Sequence, residues 1–208
     1  MHKYERIRLL RHLGLNTEVS VLIESALDLQ AHQRFLAPLD RVSVRTFSRT
    51  GAVDEPHFPI LSRADFERDC IPLLDQGYSL IVATPIDPAD ALLAGCILRR
   101  AQDFLVEVAL GPGTVRRVTH DGKIDLQMEL SGPDDRRCQP EIRPALVELL
   151  HAERHSPGNM TLREVLYEFS VYSGPVGWKK EPAIFWDITG LGDQDAELER
   201  FYREVVAP

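Results

Sequence analysis

Apolar positions recur every three or four residues over 4–13, where Tyr4, Ile7, Leu10 and Leu13 form one stripe with Arg and His opposite and Gly14 after it, which predicts a helix. After a turn at 15–17, residues 19–23 fit a short strand and 26–35 a helix closed off by Pro38. Residues 41–48, RVSVRTFS, alternate apolar with polar and predict a strand. A Gly/Pro-containing loop over 50–59 follows, then a helix over 63–74 with Ser62 as its cap, acids in its first turn, a bend at Pro72 and a stop at Gly77. Residues 80–86 form a buried strand running into a Pro/Asp turn, while 89–99 fits a helix or a strand equally well. A strand over 104–110 and a tight turn over 111–113 precede a hairpin, 115–119 with 124–130, about Asp121-Gly122. A polar loop over 131–140, a helix over 144–155 opened by a proline, two aromatic-rich strands within 167–187 and an amphipathic helix over 194–205 complete the chain. Helices interspersed among hairpins favour an α+β fold over a doubly wound parallel sheet.

The two late strands, joined by a Gly/Pro/Lys-rich turn, each carry one carboxylate: Glu168 on the first and Asp187 on the second. If the strands pair, both acids come to one end of the ladder, where they repel unless a cation lies between them. Mg²⁺, a hard ion that prefers oxygen ligands and is usually shared with a phosphate, is the natural candidate. A one-residue slip in register would send one acid to the other face. Taken singly, each acid is more simply an ordinary solvent-facing residue.

The chain has 208 residues, 44% hydrophobic and 27% charged, with a net charge of -8. That suits a globular chain large enough for one domain or two small lobes, and no basic stretch goes beyond a pair, so a nucleic-acid partner is not expected. Cys70, Cys96 and Cys138 are odd in number and lack paired zinc-type spacing, which reads as reduced thiols in a cytoplasmic protein. The charged N-terminus is not a signal peptide and no apolar run is long enough for a membrane span.

Other candidates are weaker. Arg45, within a strand, needs an anion, either a phosphate or a structural carboxylate. The turn GPGTVR offers backbone N–H groups, the Thr114 hydroxyl and the Arg116 cation to phosphate oxygens, without P-loop spacing. The strand end bearing Ile81, Val82 and Ala83 could pair its backbone with an adenine edge, with Asp87 accepting from ribose hydroxyls, although Asp before Pro is routine turn chemistry. His151 and His155 are four apart, but a helix C-terminus favours histidine in any case.

Taken in order, the helix ending in LGLNT, the strand VSVRT with its inward cation, the strand IVATPIDP with its acidic turn and the paired strands with two acids resemble the ATP-grasp nucleotide-binding domain. The likeness points in particular to the branch of phosphoenolpyruvate synthase and pyruvate phosphate dikinase. It implies two α+β lobes, divided here as 1–79 and 80–208, with mixed or antiparallel sheets, flanking helices and ATP between them. It implies further that Arg45 and Arg116 contact phosphates, that 81–87 form the adenine and ribose hinge, that Glu107 faces the cleft, and that Glu168 and Asp187 hold Mg²⁺. Where the family's second acid is followed two residues later by Asn, this chain has Thr189. With the chain expected to start directly at the grasp's first helix, either a protein partner brings the acceptor or the chain binds a nucleotide without turnover.

Three functions follow: an Mg-ATP-binding protein that, if active, phosphorylates a carboxylate acceptor; a non-catalytic interaction module that has kept the core; and a hydrolase or transferase using Glu168 and Asp187 as an acid/base pair.

Overall fold

The computed structural model describes residues 1–49, 56–111, 114, 122–155 and 163–207. In chain order these form α1 (Lys3–His12), β1 (Ser20–Ile23), α2 (Ala26–Ala31), α3 (Gln33–Leu36), β2 (Arg41–Ser48), β3 (His57–Ser62), α4 (Arg63–Asp65), α5 (Ile71–Asp75), β4 (Tyr78–Ala83), β5 (Ala91–Arg99), β6 (Phe104–Leu110), β7 (Leu126–Leu130), α6 (Arg143–His155), β8 (Val165–Val176), β9 (Glu181–Gly190) and α7 (Asp193–Phe201). The fold is α+β, with two antiparallel sheets among the described residues.

Two compact units divide the chain, one comprising Glu18–Asp87 and the other Lys3–Thr17 with Pro88–Pro208. The division therefore differs from the expected 1–79 and 80–208. Residue 79 lies inside β4, whose hydrogen bonds to β1 and β2 keep the whole strand with the smaller unit, and α1 belongs to the larger one.

The smaller unit has the sheet order β1-β4-β2-β3. Alternation on β2 turns Val42 and Val44 into a core with Leu80 and Val82 of β4 and with Phe66, Cys70 and Leu74 of the following helical segment. That segment starts as expected, with the Ser62 hydroxyl accepting from Asp65 N at 3.1 Å. Between α4 and α5 it widens into a π-turn over Phe66–Cys70, directly before Pro72. Proline has no N–H to donate and its ring crowds the carbonyl four residues back, so the chain changes its hydrogen-bond register there. The loop expected to run to residue 59 is already strand at His57: β3 is an edge strand, and its register against β2 shifts between Val42 and Val44, so Pro59 falls at an irregularity where a missing N–H costs little.

The larger unit has the order β7-β6-β5-β8-β9. The ambiguous stretch 89–99 is the middle strand β5, hydrogen-bonded on both sides, so pairing partners override the helix preference of its Leu and Ala residues. One face of this sheet presents Ile97, Val106, Val108, Tyr167, Phe169 and Ile188 to a core shared with Leu9 and Leu10 of α1, Leu146 and Leu149 of α6, and Leu198 of α7. The expected first hairpin strand, 115–119, lies outside the described residues, and β7 pairs with β6.

Asn16, fully buried, fastens the β8–β9 turn, and its backbone N–H donates to Glu148 Oε2 of α6 at 3.0 Å. Burial pushes the Glu148 carboxyl above its ordinary 4.5, offset in part by that bond and by Lys179, whose Nζ is 3.9 Å away. The folded state thus holds this proton more tightly than the unfolded chain does. Stability contributed here is present at low pH and falls as pH rises from the ordinary value through the raised one. Glu148→Gln keeps an acceptor for Asn16 and removes the charge, so its Tm is expected to change less than the wild type's as pH rises above the ordinary carboxylate range; parallel curves would contradict this.

Candidate functional site

Residues directly opposite one another in a sheet project from the same face. Across the larger sheet one such row reads Gln127, Glu107, Cys96, Glu168 and Asp187, on β7, β6, β5, β8 and β9 in turn. The next row contains Leu105, Leu98, Leu166 and Thr189. This face lies opposite the apolar core, and its central row holds three carboxylates. Glu168 and Asp187 are register partners, so pairing brings the two acids together. Glu107 shares their face two strands from Glu168, roughly 10 Å at the usual strand spacing. Its Oε1 accepts from Gln127 Nε2 at 2.8 Å.

Cys96 stands between Glu107 and Glu168. Burial, with a smaller contribution from Glu168 and then Glu107, pushes its thiol up to about 11, which keeps it protonated and a poor nucleophile.

The acid pair has cationic partners that the sequence did not suggest. Lys3 Nζ is 2.7 Å from Asp187 Oδ2 and 4.0 Å from Glu168 Oε2, while Arg6 Nη1 is 3.6 Å from Asp187 Oδ1 and donates to the Thr189 hydroxyl. Asp187 Oδ1 also accepts from Ile188 N at 2.9 Å. Asp187 is the better buried acid, with 17% of its side chain exposed against 42% for Glu168. Lys3 and Arg6 are three apart on α1 and so emerge on one side of it. Two acids and two bases leave the cluster formally neutral.

Tested against Mg²⁺, this donor set does not fit. The ion takes six oxygens in near-octahedral geometry, at about 2.0–2.1 Å. Here an ammonium is bonded to Asp187 and lies 4.0 Å from Glu168, and Thr189, at the position of the family's amide ligand, is held by Arg6. Among the described residues no group of three or more His, Cys, Asp and Glu side chains is arranged to hold a metal.

The other expected site residues are placed as follows. Arg45 Nη1 is 2.6 Å from Oε1 of Glu18, itself nearly inaccessible, which is the structural carboxylate alternative for a strand arginine. Ile81, Val82 and Ala83 are buried in β4, paired to β1 on one side and β2 on the other, so their backbone groups are committed to the sheet. Of the expected hinge, residues 85–87 lie beyond that pairing, and Asp87 is exposed. Thr114 is buried and its hydroxyl has no partner among the described residues. Arg116 lies outside the described residues. The His151 and His155 rings stack at 4.1 Å, and His155 Nδ1 is 2.8 Å from the His151 carbonyl oxygen, a local helix contact.

No family model and no curated protein matches this sequence. Solved structures do. The ADP complex of the N5-carboxyaminoimidazole ribonucleotide synthetase purK is similar over 93% of this chain and 45% of its own, at 9% identity and a TM-score of 0.50. N5-carboxyaminoimidazole synthetase from Staphylococcus aureus is similar over 89% of this chain and 42% of its own, at 8% identity and the same TM-score. The fold of this chain is ATP-grasp-like. The chain spans less than half the length of either protein. The matches do not support the phosphoenolpyruvate synthase and pyruvate phosphate dikinase branch. Among the described residues no helix is long and apolar enough to cross a membrane.

Proposed function

We propose that this chain is a nucleotide-binding domain of the ATP-grasp type that takes ATP on the polar face of its larger sheet. The observation that carries the proposal is the pairing of Glu168 with Asp187 on neighbouring strands, in a fold shared with a synthetase determined as an ADP complex. On this reading Lys3 and Arg6 neutralise the acid pair so that a phosphate can approach it, and Glu107 and Thr114 belong to the same site. Arg116 is proposed for the triphosphate from its place in the sequence GPGTVR. A protein partner would bring an acceptor.

Nucleotide binding, without phosphoryl transfer, is the activity these residues support. Phosphoryl transfer to a carboxylate needs the charge on the moving group neutralised by cations free to follow it, and both cations beside the acid pair are engaged by the carboxylates. That engagement also favours the second reading, an interaction module that has kept the core and takes no nucleotide. Calorimetric titration of the folded chain with ATP separates them. Saturable heat is expected, and its absence would replace nucleotide binding with the interaction module.

A further inference from the structure

We infer that Lys3, supported by Arg6, is a tethered cation standing where a divalent ion would bridge Glu168 and Asp187, so that the acid pair is complete without metal. The inference rests on the ATP-grasp reading of these strands, since that reading is what makes a metal expected there.

Three observations bear on it independently. The Lys3 ammonium lies on the acid pair, hydrogen-bonded to Asp187 at 2.7 Å and 4.0 Å from the nearer Glu168 oxygen, an ion pair at its outer range. Arg6 then engages the other Asp187 oxygen at 3.6 Å and the Thr189 hydroxyl, so that the next oxygen donor along β9 is taken as well. Finally, both bases stand in the first half of α1, where the positive end of the helix dipole disfavours cations. Their position is therefore unfavourable for the helix alone and is offset by the acids across from them. With 27% of Lys3 and 20% of Arg6 exposed, both side chains are laid against the sheet and not extended into water. A divalent ion entering this cluster would have to expel Lys3 and accept a second positive charge, Arg6, close by.

The test uses metal alone, so it reads this inference separately from nucleotide binding. Mn²⁺ stands in for Mg²⁺ and is titrated by electron paramagnetic resonance into the full chain as wild type, Lys3→Met, Lys3→Arg and Lys3→Met with Asp187→Asn. Wild type and Lys3→Arg are expected to show no saturable Mn²⁺ binding. Lys3→Met is expected to gain at least about tenfold in affinity, and Asp187→Asn to abolish the gain. Saturable Mn²⁺ binding by wild type would overturn the inference, as would a folded Lys3→Met chain no better than wild type. If Lys3→Met does not fold, wild type decides alone: saturable binding overturns the inference, and its absence together with a metal-silent, folded Lys3→Arg upholds it. Failure of ATP to bind while these results hold would sink the nucleotide reading and leave the tethered cation standing.

Discussion

Asn16→Ala is expected to be among the most destabilising single changes in this chain, by about 3 kcal/mol, or roughly 6–12 °C in Tm. Asn16 has no exposed surface. Its amide Nδ2 donates to the carbonyls of Ala183 at 2.7 Å, Val176 at 2.9 Å and Glu181 at 3.3 Å, and its Oδ1 accepts from Lys179 N at 2.9 Å. One side chain thus satisfies four backbone groups around the turn between β8 and β9. Alanine strands those groups in a site where water does not replace the lost partners, and each unsatisfied group costs more than a typical net hydrogen bond contributes. Gly177 fits the same place: its φ of +70° suits glycine, and a Cβ there would lie 2.5 Å from Asn16 Oδ1. The consequence reaches the acid pair, because the turn closes the β8–β9 ladder, whose register, shifted again between Glu168 and Phe169, puts Glu168 opposite Asp187. Hydrogen exchange should show backbone amides of 176–183 losing protection before those of β5 and β6. A Tm within about 1 °C of wild type would mean the turn holds its register without Asn16.

What could be read from the chain beforehand divides along the reach of the interactions. Local patterns carried β2 and β6: alternation over 41–48 and the apolar run over 104–110 coincide with the strands formed. Glu168 and Asp187 were legible because a carboxylate in an apolar strand is conspicuous, and the strand pair is closed by a short turn. Lys3 and Arg6 were not, because they lie 184 and 183 residues from their partners and belong to a helix whose stripe explains itself without them. Cys96 was missed for a related reason. Its stretch fits either helix or strand, and only the partners on both sides of β5 place the thiol between Glu107 and Glu168. The compact units differ from the expected division because the pairing of β4 with β1 spans some sixty residues, as between Ser20 and Ala83. Pro59 concealed β3, since a proline argues against a strand unless the strand is an edge.

Gly95→Ala is expected to cost about as much as loss of Asn16, by a different route. A Cβ on Gly95 would lie 2.0 Å from the Glu107 carbonyl oxygen and 2.8 Å from Val108 Cα. Both obstacles are backbone, so no side-chain rotation relieves them. The neighbouring strand cannot simply retreat, since β6 is tied to β7 on its far side and β5 to β8. Opening the β5–β6 ladder is what remains, at about 3 kcal/mol or more. Gly174→Ala is the matched control: the added Cβ meets nothing within 4 Å, and a change within about 0.5 kcal/mol is expected. Urea denaturation of both variants decides the matter, and equal losses at the two positions would remove the steric explanation. The same displacement would carry Glu107 and Cys96 out of line with Glu168. If the polar row is where nucleotide binds, a Gly95→Ala chain still folded at low temperature should lose ATP affinity, whereas Gly174→Ala should retain it.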